Sequence, residues 1–61
     1  MSFKTARKKA GLTLRQVAEE MDVTDAAVAQ WESGATSPRA KLLPTLAQLY
    51  GCTVDELLKE E

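Results

Sequence analysis

Apolar residues recur along most of this chain with the period of an α-helix. Between residues 14 and 21 the apolar positions are Leu14, Val17, Ala18 and Met21. Intervals of three and four residues place side chains on one face of a helix, so this stretch predicts a helix that buries one side. We expect helices along the chain and no strand.

Capping residues predict where the helices begin and end. Each of the three glycines follows a stretch of helical pattern, where a left-handed residue commonly ends a helix. Thr13 with Gln16 and Thr53 with Glu56 have the spacing of a capping box, and Thr24 fits the cap of a third helix. These signals predict five short helices. They cover approximately residues 2–10, 14–21, 25–33, a segment ending at Tyr50, and 54–60.

Pro44 makes the fourth helix the least regular of the five. A proline inside a helix removes a backbone donor and clashes with the carbonyl four residues earlier, here that of Ala40. We therefore expect an irregular turn around residues 37–40, with Ser37 as a cap. A regular helix then follows, with Pro44 in its first turn.

The connection between the second and third helices is short. Only residues 22–24 separate them, and so short a link forces a sharp crossing at which the two backbones come close. Ala18 is small where that contact requires it, while Val28 and Trp31 extend the apolar face onto the third helix. The predicted fold class is all-α, a compact bundle of five short helices. It forms one domain, residues 1–61, because a chain of this length leaves no room for a second.

Charge and composition limit the kinds of site. The net charge is −1, yet residues 1–15 hold five bases and no acid, whereas residues 16–34 hold five acids and no base. Such segments are typical of solvated helix faces and favour a nucleic-acid partner only slightly. The one cysteine, Cys52, is expected in the core, and without histidine we expect no metal site and no cofactor. The lack of a leader or long apolar run predicts a cytoplasmic protein.

Two longer motifs carry a family resemblance. The run LTLRQVAEEMDVTDAAVAQWESG, residues 12–34, resembles the helix-turn-helix of the Cro and C1 type phage repressors and of the wider XRE group of transcription regulators. The resemblance continues through LAQLYGCTVDELL, residues 46–58, and covers nearly the whole chain from about Arg7. The helix-turn-helix proper lies at about residues 14–33. Asp22 departs from the glycine that is usual in the turn, and aspartate tolerates a positive φ better than most residues.

The resemblance implies a lambda-repressor-like fold that binds double-stranded DNA as a transcription regulator, typically a repressor and commonly a homodimer on two half-sites. In this architecture the third helix lies in the major groove with its first residues toward base edges. The groove is about 12 Å wide and a helix with side chains is about 10–12 Å across, so small residues such as Ala26 and Ala29 let the backbone approach. Alanine is also the best helix former, and Ala27 is equally consistent with inward packing.

Candidate base contacts follow from this groove position. The predicted base-readout residues are Thr24, Asp25, Ala26, Ala29 and Gln30. Gln30 is the first choice because an amide pairs bidentately with adenine, although an ordinary solvated glutamine is the alternative. Asp25 serves equally well as a first-turn acid that the helix dipole favours.

Phosphate contacts are expected around the same helix. The amino end of the second helix, near the backbone amides of Leu14 and Arg15, is suited to bind an anion. The side-chain candidates are Arg15, Ser37, Arg39 and Lys41. For Lys41, an ordinary solvated position is an equal alternative.

Two further sets of residues are expected to serve structure and assembly. The resemblance implies an ion pair between Arg7 and Glu32 that ties the first helix to the end of the third. Helices four and five are also more apolar than one core contact requires, which fits either a homodimer interface or a thicker monomer core. The surplus residues are Leu42, Leu49, Leu57 and Leu58.

A second class of function is a protein-interaction module, such as an antitoxin-like or anti-repressor partner that keeps the helix-turn-helix shape. Asp25, the short side chains of the third helix and the negative net charge favour it. An enzyme is not expected, because the chain has no histidine, no paired carboxylates suited to a cleft and no glycine loop that would hold phosphates. Retention on heparin and salt-dependent binding distinguish the DNA-binding hypothesis from the protein-docking one.

Overall fold

Residues 1–59 are described by a computed structural model, and they form five α-helices and one 3-10 turn. The helices are α1 (Phe3–Lys9), α2 (Leu14–Met21), α3 (Asp25–Ser33), α4 (Leu43–Tyr50) and α5 (Val54–Leu58), with the 3-10 turn at Ala40–Leu42. No strand occurs in this part of the chain, so the all-α prediction is confirmed. None of the helices within residues 1–59 is long and apolar enough to cross a membrane.

The predicted caps are present at the starts of α2, α3 and α5. At α2 the Thr13 hydroxyl accepts from the Gln16 amide at 3.1 Å, and the Gln16 side chain accepts from the Thr13 amide at 2.8 Å. Thr53 and Glu56 form the same reciprocal pair at the start of α5, with both distances 3.1 Å. The Thr24 hydroxyl accepts a backbone amide of the first turn of α3. Each cap satisfies donors that the helix itself leaves unpaired, which fixes where the helix begins.

The turn between α2 and α3 is sharp, as its length predicted. Asp22 ends α2 in the left-handed region, with φ 57° and ψ 47°, and it is the non-glycine residue with positive φ within residues 1–59. The amide of Val23 then donates to the carbonyl of Ala18 at 2.9 Å. Ala18 is buried at the place where the two helices meet.

The segment before α4 differs in part from the prediction. Pro44 is the second residue of α4, inside its first turn as expected. Ser37, however, forms no cap within residues 1–59: Arg39 occupies the cap position of the 3-10 turn, and no side chain accepts an amide there. At the two chain ends, α1 is one residue shorter than predicted on each side, and α5 ends at Leu58 with residue 60 outside the described residues.

One apolar core joins all five helices. Its members are Ala6, Val17, Ala18, Met21, Val28, Trp31, Leu46, Ala47, Tyr50 and Leu57. Val17, Val28 and Leu46 are fully buried, and each such side chain contributes roughly 1.5–3 kcal/mol relative to an exposed position. Cys52 is half-buried and packs against this core from outside, and burial raises the pKa of its thiol.

The burial of the leucines corrects one of the expectations. Leu57 is only 2% exposed within a single chain, so it belongs to the monomer core and is not available to a partner. Leu42 and Leu49 are half-buried and pack against the same core. Leu58 is 54% exposed, and it is the large hydrophobic residue that the described chain leaves in solvent.

Candidate nucleic-acid interface

One face of α3 is left uncovered by the rest of the molecule. We call it the exposed α3 face, and it consists of Asp25, Ala26, Ala29, Gln30 and Ser33, all of which are exposed. At about 100° per residue these positions span roughly 140° of the helix circumference, so they form a single stripe. Val28 and Trp31 lie on the other side of the helix, in the core. The burial pattern therefore separates a packed side of α3 from a free one.

The exposed α3 face carries little side-chain bulk. Ala26 and Ala29 lie three residues apart, so methyl groups occupy its middle, with Asp25 at its start and Gln30 beside it. The Gln30 carboxamide makes no hydrogen bond within residues 1–59, which leaves its donor and acceptor free. Ala27 is half-buried and packs against the core, so for this alanine the inward-packing alternative is the one the structure has.

Ser33 is a member of the exposed α3 face that was not predicted. Its hydroxyl donates to the Gln30 carbonyl at 3.1 Å and accepts from the amide of Ala35 at 3.4 Å. The amide of Thr36 also donates to the Gln30 carbonyl, at 3.4 Å. These bonds fold the chain back over the end of α3. The sequence spacing could have identified Ser33, because it follows Ala29 by four residues and so lies one turn further along the same stripe.

A group of polar side chains lies close to the turn that leads into α3. Ser37, Arg39 and Lys41 border a cleft together with Asp22 and Val23 of that turn. All three are exposed, and Pro38 between them is buried and anchors the segment. Neither Arg39 nor Lys41 has an acidic partner within 4 Å in residues 1–59. Two unpaired positive charges are therefore available beside the start of the exposed α3 face.

The start of α2 supplies backbone donors. The capping box uses the amides of Thr13 and Gln16, whereas the amides of Leu14 and Arg15, at the first two helical positions, have no intrahelical acceptor. The Arg15 side chain is exposed, and its Nε lies 3.5 Å from Oε1 of Glu19. This end of α2 combines free amides, the positive end of the helix dipole and one guanidinium.

The Arg7–Glu32 ion pair is present and joins α1 to the last turn of α3. Nε of Arg7 donates to Oε2 of Glu32 at 2.6 Å and Nη2 donates to Oε1 at 3.3 Å, while Nη1 donates to the Leu12 carbonyl at 2.8 Å. The two side chains are only 12% and 9% exposed. The hydrogen bond that Arg7 donates to Glu32 outweighs the effect of burial and raises the pKa of Arg7. A fork-shaped pair of this kind holds α3 at a fixed angle to the core.

Comparison with known proteins agrees with this arrangement. The family model described as helix-turn-helix matches residues 3–57. The chain belongs to the helix-turn-helix family, in its Cro/C1-type XRE group. Its lambda-repressor-like, all-helical fold is the one the sequence predicted.

A curated relative matches this chain over part of its own length. The HTH-type transcriptional activator BcrR of Enterococcus faecalis is 38% identical to it over 50 residues, which make up 82% of this chain and 24% of that protein. The chain thus spans about a quarter of the length of the relative it matches. No solved structure matches this chain.

One polar group of the helix-turn-helix domain is buried without a partner. The Tyr50 hydroxyl has no hydrogen bond within residues 1–59, although the side chain lies in the core. Burial, with a smaller effect of the Glu32 charge, raises the pKa of Tyr50 to about 12. The phenol therefore stays protonated beside the ion pair. The sequence correctly predicted Tyr50 as the end of the fourth helix, but nothing local indicated the unpaired hydroxyl.

Proposed function

We propose that this helix-turn-helix domain binds double-stranded DNA in a sequence-specific manner, with the exposed α3 face in the major groove. The observation that carries the proposal is the pair of exposed alanines, Ala26 and Ala29, beside a free carboxamide. A helix almost fills a groove about 12 Å wide, so bulky residues on the inserted face would hold the backbone away from the bases. A surface made of methyl groups and one long amide suits that approach.

Each residue of the exposed α3 face is assigned a role by its chemistry. Gln30 is proposed to pair with N6 and N7 of an adenine. Asp25 accepts from N4 of a cytosine, and the methyl of Ala26 contacts a thymine methyl group. The Thr24 hydroxyl already accepts an amide in its cap and still has a donor to offer to DNA. Ala29 contributes by being small.

The phosphate contacts are proposed to lie on either side of this face. The amides of Leu14 and Arg15 and the Arg15 side chain would bind one phosphate at the start of α2. The group formed by Ser37, Arg39 and Lys41 would bind another beside the turn into α3. The absence of acidic partners for Arg39 and Lys41 within residues 1–59 supports this assignment, because neither charge is neutralised within the chain.

Two copies are proposed to bind two half-sites about 34 Å apart, one helical turn of DNA. Leu58 supports this, since an exposed leucine is suited to contact its counterpart across a two-fold axis. Leu42 and Leu49 are partly accessible as well. The resemblance to phage repressors favours repression, whereas the matched relative is named an activator. The proposal is therefore sequence-specific binding, and a promoter fusion carrying the selected site decides the sign of regulation.

Selection of bound duplexes from a random DNA pool by the purified chain tests the proposal. We expect a recurring motif containing an adenine that interacts with Gln30, and an affinity that falls steeply as salt rises. Arg39→Ala should weaken binding to all duplexes about equally and reduce the slope of log K against log salt by about one. A pool that gives no motif, from a chain that heparin does not retain, would instead support the protein-interaction module.

A further inference from the structure

The two ion pairs within residues 1–59 differ in what they do to the cation. Arg7 is nearly buried, and its guanidinium is already bound by Glu32 and by the Leu12 carbonyl. Arg15 instead forms an exposed pair with Glu19. The two side chains are 81% and 71% exposed, and Nε of Arg15 lies 3.5 Å from Oε1 of Glu19. Glu19 follows Arg15 by four residues, so the two project from the same side of α2. Arg15 is thus a cation that is both free to reach a ligand and partly neutralised.

We propose that Glu19 sets the strength of DNA binding by competing with phosphate for the Arg15 guanidinium. This inference rests on the proposed function, since it requires that Arg15 contact the DNA backbone. A guanidinium that binds a phosphate must release or weaken its contact with Glu19, and the carboxylate is then left close to a second negative charge. Glu19 therefore lowers affinity for every sequence, and the preference among sequences stays with the exposed α3 face.

The expected effect is small because the pair is exposed. Exposed ion pairs change an equilibrium by about fivefold at most, and salt reduces the effect further. Glu19→Gln should accordingly tighten binding two- to fivefold at low ionic strength, by the same factor for the selected operator and for an unrelated duplex. The slope of log K against log salt should become steeper, because Arg15 then replaces more counterions.

Glu20→Gln is the matched control. Glu20 is the next residue on α2, is also exposed, loses the same charge on substitution, and forms no ion pair within residues 1–59. If the effect is specific to the Arg15 contact, Glu20→Gln changes affinity by less than Glu19→Gln. Equal changes in the two variants would show that only net charge matters, and the proposal would be wrong.

A double-mutant cycle identifies Arg15 as the intermediary. We expect Glu19→Gln to tighten binding in the parent chain and to change little when Arg15→Gln is already present. Persistence of the effect without Arg15, or weaker binding by Glu19→Gln, would overturn the proposal. Thermal unfolding of all variants excludes loss of folding as the cause. If the parent chain itself binds no duplex, the proposed DNA binding is wrong. That result is distinct from the outcomes that contradict the role of Glu19.

Discussion

The two sides of α3 differ in role: one packs into the core and the other is exposed. On one side Val28 and Trp31 enter the core and Glu32 is held by Arg7, so this side fixes where the helix lies. On the other side, the side chains of Ala26, Ala29 and Gln30 are exposed, so they add little to stability. Because stability comes from the packed side, the residues of the exposed side are free to be chosen for binding. Substitutions on the two sides should therefore have separable effects.

The largest effect is expected from the ion pair on the packed side. Glu32→Ala leaves the Arg7 charge in a nearly buried position without its partner, which costs about 3–5 kcal/mol. A chain of 61 residues has a total stability of roughly 3–9 kcal/mol, so the melting temperature should fall sharply. Thermal unfolding followed by circular dichroism measures this. A shift of only a degree or two would contradict a structural role for the pair.

The double variant Arg7→Met with Glu32→Leu is the control for that experiment. Replacing a buried ion pair by apolar residues of similar volume is often neutral or stabilising, because no charge is left uncompensated. We expect the double variant to recover most of the stability that Glu32→Ala loses. If it is as unstable as the single variant, the loss came from packing and not from the unpaired charge.

Adding bulk to the exposed side should weaken binding strongly without unfolding the domain. Ala29→Leu keeps a good helix former at an exposed position, so we expect a change in stability of only a few tenths of a kcal/mol. Binding to the selected operator should weaken by about a hundredfold, near 2.7 kcal/mol, because the leucine holds the helix away from the bases. Gln48→Leu, at an exposed position of α4, should leave binding unchanged. If Ala29→Leu bound the operator with parental affinity, the assignment of the exposed α3 face to DNA binding would be wrong.

Removing the amide from the exposed side should alter sequence preference. Gln30→Ala loses a bidentate contact worth about 1–3 kcal/mol at one base pair. We expect the preference for adenine at that position to disappear while all other positions of the motif are retained. The measurement is a competition between operators that differ at single positions. An unaltered motif from Gln30→Ala would mean that another residue reads this base.

The turn that sets the angle between α2 and α3 should tolerate glycine. Asp22 is held at φ 57°, where a side chain is strained and glycine is not. We expect Asp22→Gly to raise stability by about 0.5–1 kcal/mol and Asp22→Ala to lower it by a similar amount, both measured by urea unfolding. Since the turn lies on neither side of α3, the DNA motif should be the same for both. A gain with alanine and a loss with glycine would contradict the backbone argument.

The smallest effect is expected from an exposed carboxylate at the start of α5. Hydrogen bonds from the Thr53 amide and hydroxyl lower the pKa of Glu56 below its ordinary 4.5. A carboxyl group whose pKa is lower in the folded state stabilises that state above pH 4.5, and the contribution is lost as pH falls through the lowered pKa. We expect the parent chain to exceed Glu56→Gln in stability near pH 6 and to match it in strong acid. A difference that does not depend on pH would refute this account.

Much of the fold could be predicted because its signals are local. A capping box involves residues three apart, and a left-handed turn residue acts on its immediate neighbours, so Thr13, Asp22 and Thr53 could be assigned from the sequence alone. Helical spacing likewise placed Val28 and Trp31 in the core. The failures are those that depend on distant parts of the chain. Whether Leu57 packs in its own core or against a partner depends on where α5 lies. Ser37 does not act as the expected cap because a 3-10 turn lies between it and α4.

The candidate interface was predicted less completely than the fold. Asp25, Ala26, Ala29 and Gln30 were identified from the expected groove position, and their exposure agrees with it, but their contacts with DNA remain predictions. Ser33 was missed because serine next to a glycine suggests a helix end and not a surface. Extending the stripe by one further turn would have found it. The Arg15–Glu19 contact could also have been anticipated, since the two residues are four apart on a helix.

Trp31 is an intrinsic fluorescence probe of the domain. It is the one tryptophan of the chain, it belongs to α3, and it points into the core and away from the exposed α3 face. Its emission should therefore follow melting of the helix. Because Trp31 also borders the cleft lined by Ser37, Arg39 and Lys41, its emission should respond as well to a phosphate bound there. A DNA titration that changes this fluorescence while circular dichroism shows intact helices would thus report that the cleft is occupied.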